Sequence, residues 1–135
     1  MDNFINDPVC YAKDVVANDP MATFLGIETD EVRSGYARCS ITIKSEFLNA
    51  VERAHGAIIY AVMDQAFAVA SNSTGNVAVS LHFSVNYISA ALAGEKIFAE
   101  ATPVNMGKKV SVWKIEVRGS NDKMIATGEG LAYHK

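Results

Sequence analysis

Residues 54–72 read AHGAIIYAVMDQAFAVASN, and this stretch decides the fold. Its apolar residues recur at helical spacing without an interrupting proline, and they cover most of the circumference of a helix. The positions that share this spacing are Ile58, Ile59, Val62, Met63, Ala66, Phe67, Val69 and Ala70. The pattern therefore predicts one central helix that is buried on nearly every side.

Asp64 interrupts this apolar helix near its middle. None of its neighbours one turn away carries a compensating charge; they are Tyr60, Ala61, Phe67 and Ala68. Burying an unpaired carboxylate is costly, so Asp64 either hydrogen bonds to a neighbouring strand or takes part in a reaction. The helix by itself leaves both interpretations open.

The start of this helix lacks the usual Ser, Thr, Asp or Asn cap, since the chain enters it through His55 and Gly56. We therefore expect N–H groups of the first turn to remain free, and such groups at the positive end of a helix bind anions. The alternative is that Gly56 only fits a tight turn and His55 is a structural residue.

The composition is that of one globular domain. The chain has 135 residues, of which 50% are hydrophobic and 20% charged, with a net charge of −3. This acidic balance argues against nucleic-acid or anionic-membrane partners. No apolar run has the length of a membrane span, and the first residues lack a signal sequence, so we expect a cytoplasmic protein.

The cysteines and histidines suggest neither a disulfide nor a metal site. Cys10 and Cys39 have no C-x-x-C spacing, and in a cytoplasmic protein we expect two reduced thiols. The spacing of His55, His82 and His134 does not match a set of zinc ligands. We therefore expect no metal ion and no cofactor.

The order of predicted elements indicates an α+β domain over residues 1–135. Two short helices occupy 1–26, each opened by Asp-Pro, and the core occupies 27–135. A sheet strand that carries polar Ser80, His82, Ser84 and Asn86 on one face follows the helix. We predict an antiparallel sheet wrapped around one long central helix, with its uncovered face and edges meeting another subunit. The predicted strands are 27–33, 36–43, 77–88, 95–104, 109–118 and 123–134.

Three further positions join Asp64 and Gly56 in an ordered set. Asn49 lies six residues before His55, Asp64 lies nine after it, and Ser80 lies early in the next strand. This order, N-x5-H-G-x7-D followed by a strand with V-S, resembles the hotdog-fold acyl-CoA thioesterases of the phenylacetic acid degradation protein PaaI type. The resemblance extends from about position 19 to the C-terminus. It includes the segments D-P-M-A-T-F-L-G-I and Y-I-S-A-A-L-A-G-E.

The resemblance implies a hotdog fold and a role for each of these residues. Asp64 would be the nucleophile or the general base that activates water, and the Gly56 N–H would hold the thioester oxygen. Asn49 and His55 would orient the carbonyl or the water, and Ser80 would position the water or the leaving sulfur. Thioester hydrolysis needs such a nucleophile and such oxyanion donors.

The resemblance also implies the substrate class and the assembly. We expect a thioester hydrolase acting on a phenylacetyl-CoA or hydroxyphenylacetyl-CoA type of substrate, with a homodimer as the minimal active unit and a homotetramer as the full assembly. Many family members have a second glycine where this chain has Ala57. That departure bears on acyl-chain preference more than on the chemistry.

Gly107, Lys108 and Lys109 form a predicted hairpin turn that offers two cations to the phosphates of coenzyme A. The alternative is a solvated turn without a ligand. Arg38 and Arg53 are weaker candidates for the same contact.

Two other functions are compatible with the same fold. One is a hydratase or dehydratase, although its usual carboxylate and His pair is not found here in the required arrangement. The other is a non-catalytic acyl-CoA-binding or sensing protein. The motif G-x-S-x-G is absent, so a conventional α/β-hydrolase has no support.

Overall fold

The computed structural model describes residues 6–135, so the first five residues of the predicted N-terminal unit lie outside the description. The described residues form three α-helices and six strands. The ends of these elements lie within two or three residues of the predicted bounds. The helices are α1 (Pro8–Asp14), α2 (Pro20–Leu25) and α3 (Gly56–Ser71). The strands are β1 (Glu28–Arg33), β2 (Tyr36–Thr42), β3 (Ala78–Tyr87), β4 (Lys96–Met106), β5 (Val110–Gly119) and β6 (Met124–His134).

The strands form one antiparallel sheet in the order β1-β2-β4-β5-β6-β3, which leaves β1 and β3 at its edges. One face of this sheet packs against α3, and the apolar residues of α3 join the inward side chains of the strands in a single core. The predicted α+β architecture, an antiparallel sheet around one central helix, is confirmed.

Two glycines of β6 allow α3 to approach the sheet closely. A β-carbon at Gly130 would lie 2.9 Å from the ring of Phe67, and one at Gly128 would lie 2.8 Å from Cε of Met63. The Phe67 ring also makes edge contacts with Phe83 and Trp113, with centroids 5.5 Å and 6.5 Å apart. The absence of these two β-carbons therefore sets the distance between helix and sheet.

The predicted alternation of side chains between the two faces of β3 is wrong at the start of the strand, where it placed Ser80 on the same face as His82. The pairing of β3 with β6 has a register shift between these two residues. Ser80 pairs with Ala132 and Phe83 pairs with Gly130, so both lie on the α3 side of the sheet although three positions separate them. Ser80 thus does not share the outer face with His82. A single extra residue in the strand exchanges the faces on which the side chains before and after it lie. The alternation of polar and apolar residues in the sequence does not reveal such an extra residue.

Candidate active site

One side of α3 is open while most of its other residues are buried, which agrees with the prediction of a helix buried on nearly every side. Ala57, Tyr60 and Asp64 keep accessible surface there, because no strand within residues 6–135 covers this side. They border a cavity of about 640 Å³ between α3, α2 and the turn at 45–48. This volume lies in the ordinary range for a small-molecule site.

Asp64 borders this cavity, and no residue within 6–135 donates a hydrogen bond to its carboxylate. Burial raises the pKa of Asp64 above the ordinary aspartate value, and the negative charge of Asp19 raises it further. The structure thus gives no support to the alternative that Asp64 is bonded to a strand. A partly desolvated carboxylate beside a cavity is a candidate nucleophile or base.

His55 lies on the border of the same cavity and caps α3, which corrects the prediction of an uncapped start. Its Nδ1 accepts a hydrogen bond of 3.0 Å from the N–H of Ala57. Nδ1 stands as far along the side chain as the Oδ1 of Asn or Asp, so an imidazole can take the place of the usual cap. Among the described residues, the N–H of Gly56 has no acceptor.

Gly56 lies on a second cavity, of about 440 Å³, together with Asn49, Arg53 and Tyr87. Asp64 and Gly56 therefore face different cavities on different sides of α3. Eight residues separate them, and at 1.5 Å of rise per residue this places them about 12 Å apart along the helix axis.

Asn49 holds the loop that leads into α3. Its Oδ1 accepts hydrogen bonds of 3.0 Å from the N–H groups of Val51 and Arg53. The guanidinium of Arg53 in turn donates to the carbonyl oxygens of Val51 and Glu52. In this chain Asn49 is therefore a turn residue at the border of the Gly56 cavity.

Ser80 borders neither cavity. It is exposed near the start of the edge strand β3, on the α3 side of the sheet. Within one chain, His55 thus borders the same cavity as Asp64, and Asn49 borders the same cavity as Gly56. Ser80, the fifth predicted catalytic residue, lies apart from both pairs.

Gly107, Lys108 and Lys109 form the β4–β5 hairpin, in which the Gly107 N–H donates to the carbonyl oxygen of Val110 at 3.0 Å. Lys108 borders a small cavity of about 130 Å³ with Thr74, which follows the C-terminal end of α3. These lysines therefore lie at the opposite end of α3 from Gly56.

Arg38, the other cation considered for coenzyme A, has its guanidinium 5.7 Å from the centroid of Phe98. Its Nε is buried and has no hydrogen-bond partner among the described residues.

Sequence reasoning gave no site role to several residues of these cavities, among them Asp19 and Tyr87. The Asp19-Pro20 pair correctly predicted a helix start, and the Asp19 carboxylate does accept the N–H of Ala22 at 2.9 Å. Nothing in the local sequence showed that α2 folds over Asp64. Tyr87 was expected only as the first residue of the segment Y-I-S-A-A-L-A-G-E.

The described part of the chain contains no group of three or more His, Cys, Asp or Glu side chains arranged to hold a metal ion. No described helix combines the length and the apolarity needed to cross a membrane.

Comparison with known proteins identifies the family. The model of the thioesterase superfamily matches residues 52–126, which include α3 and most of the strands after it. A putative esterase of Archaeoglobus fulgidus is 41% identical over 116 residues, which are 86% of this chain and 75% of the relative. The acyl-coenzyme A thioesterase PaaI of Escherichia coli is 30% identical, over 86% of this chain and 83% of its own.

Solved structures agree with these relatives. The structure of Escherichia coli PaaI superposes with a TM-score of 0.85 at 30% identity, covering 87% of this chain and 86% of that one. A variant of the phenylacetic acid degradation protein PaaI from Thermus thermophilus gives a TM-score of 0.83 at 30% identity, covering 87% and 100%. The chain therefore belongs to the thioesterase superfamily, as a PaaI-like acyl-CoA thioesterase of the hotdog fold.

Proposed function

We propose that the chain hydrolyses an acyl-CoA thioester with Asp64 of one subunit and the Gly56 N–H of a second subunit acting on the same carbonyl group. The observation that carries this proposal is the division of the site. Asp64 and Gly56 border different cavities, and the two residues lie about 12 Å apart along the axis of α3. An oxyanion donor must come within about 3 Å of the carbonyl oxygen while the nucleophile reaches the adjacent carbon. One copy of α3 does not meet both conditions.

In the proposed reaction the Gly56 N–H donates to the carbonyl oxygen as negative charge develops on it. Asp64 then acts in one of two ways. It attacks the carbonyl carbon, which expels the CoA thiolate and leaves an anhydride that water cleaves. Alternatively it takes a proton from an attacking water, and the proton leaves with the thiolate. His55 fixes the first turn of α3, and the reaction uses no metal ion or cofactor.

A two-fold arrangement of subunits satisfies this requirement. Two antiparallel copies of α3 would bring Gly56 of each chain beside Asp64 of the other and create two identical sites. The free edge of β3, which exposes Val79 and Leu81, is suited to meeting a second copy. We propose a homodimer as the minimal active unit and a homotetramer as the complete assembly.

The same arrangement gives the hairpin lysines a role. Antiparallel copies bring the C-terminal end of one α3 towards the N-terminal end of the other. Lys108 and Lys109 would then lie on the side from which coenzyme A approaches Gly56 of the partner, with Arg53 on the border of the Gly56 cavity. We propose that these cations bind the CoA phosphates.

We propose that the protein acts in the cytoplasm. For the acyl moiety of the substrate we propose an aryl-acetyl group. The support is the similarity to relatives named for phenylacetic acid degradation, together with an Asp64 cavity of about 640 Å³, which is large enough for an aromatic ring.

The test is release of free thiol from a set of CoA thioesters, with Asp64→Asn as the variant and Asp14→Asn, on α1, as the control. Asp64→Asn should lower kcat by about 10²–10⁴-fold, because the amide neither attacks nor accepts a proton. An Asp64→Asn variant as active as the wild type rules out the catalytic assignment. Hydration of an enoyl-CoA without thiol release would indicate the hydratase, and binding without turnover the sensing protein.

A further inference from the structure

We infer that the cavity beside Asp64 selects thioesters by the charge of the acyl group, accepting uncharged acyl groups and rejecting those that end in a carboxylate. This inference rests on the proposed function and adds to it a substrate class. It comes from three features of the cavity: its position, its walls and its charges.

The position of the cavity assigns it to the acyl group. The reacting carbonyl must lie at Asp64, so one of the two arms of the substrate extends into the space that Asp64 borders. Coenzyme A carries several negatively charged phosphate groups. None of the residues within 6–135 that border this cavity is a Lys or an Arg. The cavity therefore offers no Lys or Arg of the described residues to the phosphates, whereas its apolar lining suits the acyl arm.

The walls suit an apolar group of aromatic size. Apolar side chains predominate on the cavity, among them Met21 and Phe24 of α2 together with Phe47 and Tyr60. Phe24 is 82% exposed and Met21 63% exposed, which is unusual for large apolar side chains without a ligand or a partner.

The acidic side chains on the cavity outnumber the basic ones. Asp19, Glu46 and Asp64 border it, and His55 is the single basic side chain among the described residues there. Lys44 lies outside: its Nζ is 5.7 Å from the centroid of Phe47, and it borders a separate cavity with Lys96. An acyl carboxylate in the Asp64 cavity would therefore meet like charges in a partly desolvated space.

Asp19 and Glu46 are the residues to change, because the proposed reaction uses neither carboxylate as nucleophile, base or oxyanion donor. Asp19→Asn retains a side-chain oxygen that can accept the Ala22 N–H, so α2 keeps its cap. Glu46→Gln retains an acceptor for the hydroxyl of Ser45. The double variant removes two negative charges while keeping the shape of the cavity.

The test compares two substrates that differ only in charge, 4-carbamoylphenylacetyl-CoA and 4-carboxyphenylacetyl-CoA. At low ionic strength the wild type should favour the neutral substrate by about tenfold or more in kcat/KM, the effect of one unfavourable charge contact. Asp19→Asn with Glu46→Gln should reduce this ratio to about threefold or less. Phe24→Lys, which adds a cation at an exposed position, should reduce it as well.

Asp30→Asn with Glu129→Gln is the matched control, since it changes the net charge equally at exposed positions away from the cavity. This control should leave the ratio unchanged. Equal rates for both substrates in the wild type would overturn the inference. A preference that survives Asp19→Asn with Glu46→Gln would overturn it too, because the discrimination would then arise elsewhere.

Failure of the proposed function has a different signature, namely that neither thioester is hydrolysed. Equilibrium binding then decides the inference on its own. Two non-hydrolysable CoA thioethers with the same carbamoyl and carboxy ends should differ about tenfold in Kd, in favour of the carbamoyl compound. Equal Kd values would overturn the charge selection.

Discussion

The phenol of Tyr87 donates a hydrogen bond of 3.1 Å to the carbonyl oxygen of Gly56, and the Tyr87 ring lies against the α-carbon of the same glycine. A β-carbon at Gly56 would lie 3.2 Å from the nearest ring atom. The edge strand β3 thus contacts the first turn of α3 at a point that leaves little room for a β-carbon.

Gly56→Ala is therefore expected to lower kcat by about tenfold although it keeps the N–H. The new methyl group displaces either the Tyr87 ring or the helix start, and a shift of a few tenths of an ångström misplaces an oxyanion donor. Gly56→Ala combined with Tyr87→Leu, which makes room, should recover most of the loss. The measurement is steady-state kinetics of the two single variants and the double variant. Additive losses would mean that the ring does not constrain Gly56.

The activity should fall on the acid side of its pH profile as Asp64 becomes protonated. This acid limb should lie at a higher pH than the pKa of an ordinary aspartate. Asp64 works in its ionised form, and burial raises its pKa, so activity is lost as the pH falls through that raised value. Asp19→Asn removes the like charge and should move the limb to lower pH. The check is the pH profile of kcat/KM for an uncharged acyl substrate.

Glu46→Gln is the control for that shift. Glu46, His55 and Tyr60 are the other titratable groups on the cavity, but Asp19 is the charged neighbour that raises the pKa of Asp64. Glu46→Gln should therefore leave the acid limb in place. If Asp19→Asn leaves it in place as well, the pH dependence belongs to another group.

The lysines of the β4–β5 hairpin should contribute to substrate binding rather than to the chemical step. Lys108→Ala with Lys109→Ala is expected to raise KM for CoA thioesters more than it lowers kcat, because phosphate contacts far from the carbonyl are largely the same in ground and transition states. The comparison substrate is a short thioester without the nucleotide, whose kinetics should barely change. Equal losses on both substrates would remove these lysines from the CoA site.

The sequence predicted the framework well because periodicity and turn residues are local signals. The apolar spacing in residues 54–72 predicted α3, Asp19-Pro20 predicted the start of α2, and Gly26 ends that helix with a φ of 78°. The order of short strands predicted an antiparallel sheet. The match of the Asn49–Asp64 motif to one family then identified the fold and the activity.

What the sequence did not reveal depends on contacts between distant elements. The bulge that turns Ser80 to the α3 side depends on pairing with β6, and the roles of Gly128 and Gly130 depend on the approach of α3. The motif placed Gly56 and Asp64 in one constellation without showing that they open into different cavities. That division follows from helix geometry and from the elements packed on each side.

Gly130→Ala should destabilise the fold without acting on the site. Its methyl group would lie 2.9 Å from the buried ring of Phe67, so the core must be overpacked, at a cost of about 1–3 kcal/mol. Thermal denaturation should show a lower Tm, and Phe67→Leu should soften the effect of Gly130→Ala in the double variant. An unchanged Tm for Gly130→Ala would mean that α3 can move away from β6 at little cost.

Mixing two inactive variants tests whether the active site spans two subunits. One variant is Asp64→Ala, and the other is Gly56→Pro, which deletes the N–H. Proline is well tolerated at the first position of a helix, and His55 before it already has the extended backbone that proline requires, with a φ of −62° and a ψ of 140°. Gly56→Ala is the matched control, because it adds a β-carbon at the same position and keeps the N–H.

In a mixed dimer one site combines both changes, and the other pairs an intact Asp64 with an intact Gly56. With random reassortment about half of the dimers are mixed, and each has one working site, so about a quarter of the wild-type activity should return. Each variant alone should remain inactive at the same total concentration. Exchange is followed by native mass spectrometry of differently tagged chains. If mixed dimers form and no activity returns, each active site lies within a single chain.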